Sequence, residues 1–495
     1  MPIMEEPTSL DPQIADSNSE KLVAANCYEG LVRIMADGTI GKGVATDWNI
    51  SDDGLTYTFK LRNNSHWAMF SGHKAVLGEN YEDTFDITVK AEDFKFGIER
   101  TLSAQTGSAD APLFSAVKSI STPDDFTIVF NLSYADDNFL YALTNPGAMP
   151  CDEEFFNLTN GKYGLDAKYL LCNGPFHVSK WTEKTSVKLA KNNEYNGESS
   201  VSPSSVTFYI NNDDSEVVDK MNSVTYDVAF LSSSQFSSIE NKKDLNSVAV
   251  QNVTYSFIFN QNDNNYRNKN MRLAFCRSCD TSSLFDSQSD ISKADGIVPP
   301  SCKIGGEDYR NGNAAELLSY DETLAKKNFN DALLELGSSS VETTILCTEQ
   351  YESFVKQMVQ KLQKTLGVKF VSTVKVVSES DLEAAVNDGN YSVAFYPFKA
   401  KSSFAGEIIE GFDQNNIFGY ESDVLSQKIR NIKNNSGSLE GERSAVADAE
   451  NYLVSEAVIM PVFYENSYFV TSKKTSGIYF YSSADNVCFI NAKKS

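Results

Sequence analysis

Histidine is scarce in this chain: 495 residues contain only His66, His73 and His177. Nucleophilic catalysis by Ser or Cys normally needs a positioned base, and the sequence carries no nucleophile elbow, HExxH helix or P-loop. His66 precedes Trp67, His73 follows a Gly72 turn and His177 sits in an alternating run, so each reads as structural or exposed. Carboxylates are too common to single out a catalytic pair, with 67 Asp and Glu in total. Basic charge is also short, with 43 Lys and Arg and a net charge of −24. That balance excludes nucleic-acid binding by phosphate neutralisation, which needs a concentrated basic surface. An acidic envelope mainly confers solubility.

Long apolar runs are missing as well. No stretch approaches the roughly 18 apolar residues of a membrane span, and Met1 to Leu10 is acidic and proline-punctuated, unlike a basic and apolar signal. Leu22-Val23-Ala24-Ala25-Asn26-Cys27 departs from a lipoprotein cleavage box, since Asn26 stands where a small residue is needed and no apolar run precedes it. Eight cysteines in so long a chain do not make a disulfide scaffold. Cys151 and Cys172 bracket one loop and are the best disulfide candidates. Cys276-Arg277-Ser278-Cys279 lies in a helical stretch, with Cys302 as a candidate partner for either thiol. A lone CxxC lacks the second ligand pair that four-coordinate zinc requires, so no metal is expected there. Cys347 and Cys488 fall in apolar strand-like runs and read as small packing residues.

What is present is the material of a folded protein: 41% hydrophobic and 12% aromatic residues, including 31 Phe and 23 Tyr. The length is too great for one core and suggests about three domains at roughly 150 residues each. An Asp53-Gly54 turn signal between two alternating runs in Trp48 to Arg62 predicts a hairpin with a two-residue turn. Helices are expected over 91–100, 215–221, 325–336 and 352–366, the last two ended by Gly337 and Gly367. Strands are expected over 126–130, 206–210, 226–230, 255–260, 343–347 and 391–396. The 206–210 strand, the 215–221 helix and the 226–230 strand have a βαβ rhythm that predicts a parallel sheet.

Several segments resemble, in order, the peptide/nickel-type solute-binding proteins of bacterial ABC importers (bacterial extracellular solute-binding protein family 5). They are Leu10-Asp11-Pro12, Tyr28-Glu29-Gly30-Leu31, the Trp48 hairpin, Ala91-Glu92-Asp93-Phe94, Asn173-Gly174-Pro175-Phe176, Asn192-Asn193-Glu194-Tyr195, Met271-Arg272-Leu273-Ala274 and Ala457-Val458-Ile459-Met460-Pro461-Val462. The resemblance implies an α/β, type II periplasmic-binding-protein-like fold: two αβ lobes with a hinge and cleft, plus an inserted α+β domain in the first lobe. The implied first lobe is 1–38, 172–258 and 466–495, the inserted domain 39–171 and the second lobe 259–465.

It also implies a monomeric, non-enzymatic binding protein without cofactor that captures peptides and delivers them to a membrane ABC permease. Its implied place is extracytoplasmic, as a cell-surface lipoprotein or periplasmic protein with a leader upstream of Met1. The same fold binding an oligosaccharide or an acidic metabolite is the alternative, and a secreted hydrolase a minor one. Nickel is disfavoured by the three scattered histidines.

The resemblance points to Tyr28 and Glu29 in the first lobe, Tyr255 at the crossing, and Tyr396-Pro397-Phe398-Lys399-Ala400-Lys401 in the second lobe as ligand-binding residues. Peptide-binding members typically read Gly-Trp-x-Ala-Asp in that last segment, the Asp pairing with the free α-amino group of the peptide. Here Phe398 replaces the Trp and Lys401 the acid, and two ammonium groups facing each other in a desolvated cleft repel. Three explanations stand open: Lys401 binds an acidic group of the ligand; the amino end is compensated by Glu29 or another acid in a different register; or the alignment is shifted, leaving Lys399 and Lys401 as solvated rim charges.

Overall fold

Strands Ala45–Ile50 and Thr56–Leu61 form the expected hairpin, but its turn is longer than two residues. The last ladder pair is Ile50 with Tyr57, and Ser51 N–H donates to Thr56 O at 2.9 Å, so Asp52 to Leu55 form a four-residue loop. Gly54 takes the positive φ of 68° that this loop requires, and the Asp53 carboxylate accepts from Leu55 N–H at 3.0 Å. The computed structural model describes residues 1–495 apart from 36–38, 81–83, 137, 198–199, 282–283, 286–289, 400–403, 414–415, 436–437 and 482–485.

The chain divides into two units, one of Met1–Ala249 with Tyr468–Ser495 and one of Val250–Ser467. The chain passes between them twice, within the long strands Leu245–Phe259 and Ile459–Ser472. In the first unit the hairpin extends into a four-stranded antiparallel sheet with Thr127–Leu132 and Val117–Asp124. Helix Ala91–Leu102 covers it, burying Phe94 and Ile98 while Glu92, Lys95 and Glu99 form i,i+3 and i,i+4 ion pairs outside. A second four-stranded sheet orders Pro2–Ile3, Ser205–Ile210, Ser186–Lys191 and Phe176–Thr182.

The expected parallel βαβ unit is not formed. Ser205–Ile210 pairs antiparallel with Ser186–Lys191, whereas Val228–Ser232, after helix Asp214–Asn222, joins a different sheet. Strand–helix–strand rhythm fixes the order of elements, not the sheet in which each strand finds its partner.

In the second unit, Leu245–Phe259 pairs antiparallel with Val393–Lys399, which runs parallel to Val341–Thr348, itself parallel to Phe370–Val377. Helices cover both faces, so both carry apolar side chains. Phe257, Phe259 and Phe395 pack with Phe275 and Val355 on one face, and Ile258 and Ala394 with Leu425 and Leu453 on the other. Helix Glu322–Leu336 ends at Gly337 in the left-handed conformation, φ 64°, as its sequence predicts.

The Cys151–Cys172 bridge is not formed: both residues carry free thiols. Cys151 Sγ lies 3.5 Å from Arg100 Nη1, while the Cys172 thiol contacts that of Cys27. Bracketing a loop says nothing about where two side chains point, and here each thiol has a different neighbour. His73 and His177 both pack on Phe70, with ring centroids 4.3 and 5.5 Å away.

Candidate functional sites in the two units

In the first unit, Tyr28 and Glu29 follow helix Asn18–Cys27 and are fixed by the Asn173-Gly174-Pro175 segment. Asn173 Oδ1 accepts from Glu29 N–H at 3.0 Å and Asn173 Nδ2 donates to Glu29 O at 2.8 Å. Gly174 N–H donates to Cys27 O at 2.9 Å, and a Cβ at Gly174 would lie 2.6 Å from the Tyr28 nitrogen, so only glycine permits this approach. Both site side chains turn inward. The Tyr28 hydroxyl lies 3.3 Å from that of Tyr163, and burial raises its pKa well above the ordinary phenol value. Glu29, 5% exposed, forms an ion pair with Arg62 and accepts from the Tyr195 hydroxyl at 3.2 Å. Its charge is therefore matched within the protein.

In the second unit, strand alternation divides the residues the sequence groups together. Register pairs Tyr255 with Pro397 and Val253 with Lys399, placing Tyr255, Pro397 and Lys399 on one face. Tyr396 and Phe398 lie on the other, where Phe398 stacks on Phe412 at 5.7 Å and packs against Phe418 at 5.8 Å. Those two rings are half-buried parts of a core layer, and Lys399 is exposed. Ala400 and Lys401 lie outside the described residues.

The Tyr255 face holds a group that sequence reasoning missed. Tyr255 sits 4.4 Å from Tyr351 and 5.1 Å from Phe463, ring to ring, with Phe395 at 5.5 Å. Within this aromatic cluster lies the half-buried Glu465, whose Oε1 accepts from the Tyr351 hydroxyl and from Gln350 Nε2 at 3.3 Å. Burial raises the Glu465 pKa, nearby Glu379 adds to the rise, and the two donors and Lys399 oppose it. The one sequence signal was an acid interrupting an apolar strand, Val462-Phe463-Tyr464-Glu465-Asn466-Ser467-Tyr468-Phe469.

Residues 39–418 match the family model for the middle region of bacterial extracellular solute-binding proteins, family 5. The chain belongs to this family. The dipeptide-binding protein DppE of Bacillus subtilis is 24% identical over 96% of this chain and 88% of its own length. Among solved structures, Listeria monocytogenes OppA bound to peptide superposes with a TM-score of 0.77 at 21% identity, covering 100% of this chain and 98% of that one. A Pseudoalteromonas dipeptide-binding protein in complex with Met-Leu gives a TM-score of 0.79 at 16% identity, covering 100% and 99%. The family 5 chain thus has the type II periplasmic-binding-protein fold, and its relatives are transport proteins that bind solutes. Among the described residues no helix is long and apolar enough to cross a membrane.

Proposed function

We propose that this family 5 protein captures peptides outside the cytoplasm and delivers them to an ABC permease, without chemistry on the ligand. The observation that carries the reading is the DppE match, which spans nearly the whole of this chain and most of that dipeptide-binding protein. The half-buried Tyr255 ring, backed by the buried rings of Tyr351, Phe395 and Phe463 and flanked by Glu465, supports it, because peptide ligands need apolar walls with a few fixed polar groups. Tyr255, Pro397 and Lys399 belong to the ligand surface. Tyr28 and Glu29 brace the first unit's segment from within, while Tyr396 and Phe398 support theirs from the opposite sheet face. The protein acts as a monomer.

An acidic metabolite is the second reading. Lys399 on the Tyr255 face favours it, and the fold offers precedent: the binding protein AgaA in complex with agropinic acid has a TM-score of 0.75 at 18% identity. Calorimetric titration with di- to hexapeptides, oligosaccharides and small dicarboxylates decides between them. Peptide binding in the micromolar range or tighter is expected, and heat from the dicarboxylates alone would overturn the peptide reading.

A further inference from the structure

We infer that Glu465 is the residue that receives a ligand ammonium group, which on the peptide reading is the free α-amino group. Three features of the second unit carry this assignment. First, the carboxylate is only partly used. Both hydrogen bonds it accepts fall on Oε1, from Tyr351 and Gln350, and among the described residues Oε2 accepts none. Second, its surroundings suit a cation. The half-buried Tyr255 packs over the buried rings of Tyr351 and Phe463 beside the carboxylate, and an accessible aromatic face attracts ammonium groups. Third, its position is rigid. Glu465 pairs with Ile291 across a short ladder, and Tyr464, pointing to the other face, accepts from Asp295 N–H at 3.1 Å.

The charged groups near the carboxylate are Lys399 on the neighbouring strand face and Glu379 at the start of helix Glu379–Asn387. Tyr255 and Tyr351 are the nearby phenols, both held neutral by burial. Lys399 is exposed and partly compensates Glu465 through solvent, and Glu379 opposes that compensation. Desolvation already strains the ionised form, so an arriving ammonium group relieves a cost the empty site bears.

The test compares a mixed tri- to hexapeptide library with the same library N-acetylated, on wild type and Glu465→Gln, by affinity-selection mass spectrometry with calorimetry on the strongest binder. Wild type should prefer the free-amino form at least tenfold, with affinity falling as the pH is lowered and the carboxylate protonates. Glu465→Gln should bind both forms equally and lose that pH dependence. Tyr351→Phe, which keeps the ring and removes a donor to the carboxylate, should retain the preference and move the pH dependence upward. A preference that survives in Glu465→Gln overturns the assignment and leaves the peptide reading intact. Failure of wild type to bind either library overturns both.

Discussion

Glu450 and Glu465 lie fifteen residues apart in the same unit and could hardly be used more differently. Glu450, 1% exposed, is saturated: it accepts from Ile297 N–H at 2.7 Å, Val298 N–H at 3.0 Å, the Tyr309 hydroxyl at 3.1 Å and Arg310 Nη1 at 2.9 Å, and pairs with Arg310 Nη2. Among the described residues, Glu465 has two donors, both on one oxygen, and no cation in direct contact. A saturated buried carboxylate is a brace, with no capacity left for a ligand. An unsaturated one, half-buried beside aromatic rings, costs stability by itself and can return that cost when a cation arrives. Glu29 of the first unit belongs with Glu450, since Arg62 and Tyr195 already occupy it.

The comparison is sharpest where its two members should respond oppositely. Removing one partner of a buried pair strands the other, so Glu450→Ala should lower unfolding stability by about 3–5 kcal/mol, read from urea denaturation of the full chain. A loss below 1 kcal/mol would break the distinction. Glu29→Gln should cost about 2–3 kcal/mol, because Arg62 loses its countercharge in a nearly buried site. It should leave the preference for free-amino peptides unchanged.

His73 sharpens the same rule from the cationic side. Buried with its Nε2 3.1 Å from Leu170 O, it has a pKa lowered by desolvation to about 4 from 6.5. A depressed folded pKa means the unfolded chain binds more protons in that window. Its contribution, at most about 3 kcal/mol, is therefore full above pH 6.5 and lost as pH falls toward 4. Denaturation curves of wild type and His73→Gln at pH 7 and pH 4.5 should show a smaller pH difference in the variant.

Glu465→Gln should be the mildest change, within about 1 kcal/mol of wild type at pH 7 and on the stabilising side. A carboxyl pKa raised by folding weakens the fold as pH rises through it, and the amide removes that penalty. A loss comparable to that of Glu450→Ala would show that Glu465 is a brace as well.

The fold was largely readable because its signals are local. Apolar alternation placed the strands near 255, 345 and 395, Gly337 ended its helix, and Asp53-Gly54 marked the hairpin. Partners were not readable. The strand at 228–232 chose a different sheet from that at 205–210, and Cys172 met Cys27 across 145 positions instead of Cys151. The surroundings of the candidate residues were not legible. Resemblance points to Tyr28, Glu29 and Tyr255, but Arg62 and Tyr195, which occupy Glu29, come from distant segments. Strand parity would have separated Tyr396 and Phe398 from Tyr255, had the register opposite Tyr255 been known. Glu465 gave only the weak signal of one acid inside an apolar run, and its meaning came from Tyr351, 114 residues away.

Whether the protein carries peptides is read most directly by native mass spectrometry of the purified protein, followed by denaturing extraction and sequencing of what it holds. A ladder of short peptides with free amino termini is expected. A sugar or an acidic metabolite recovered in their place would rule out the peptide reading.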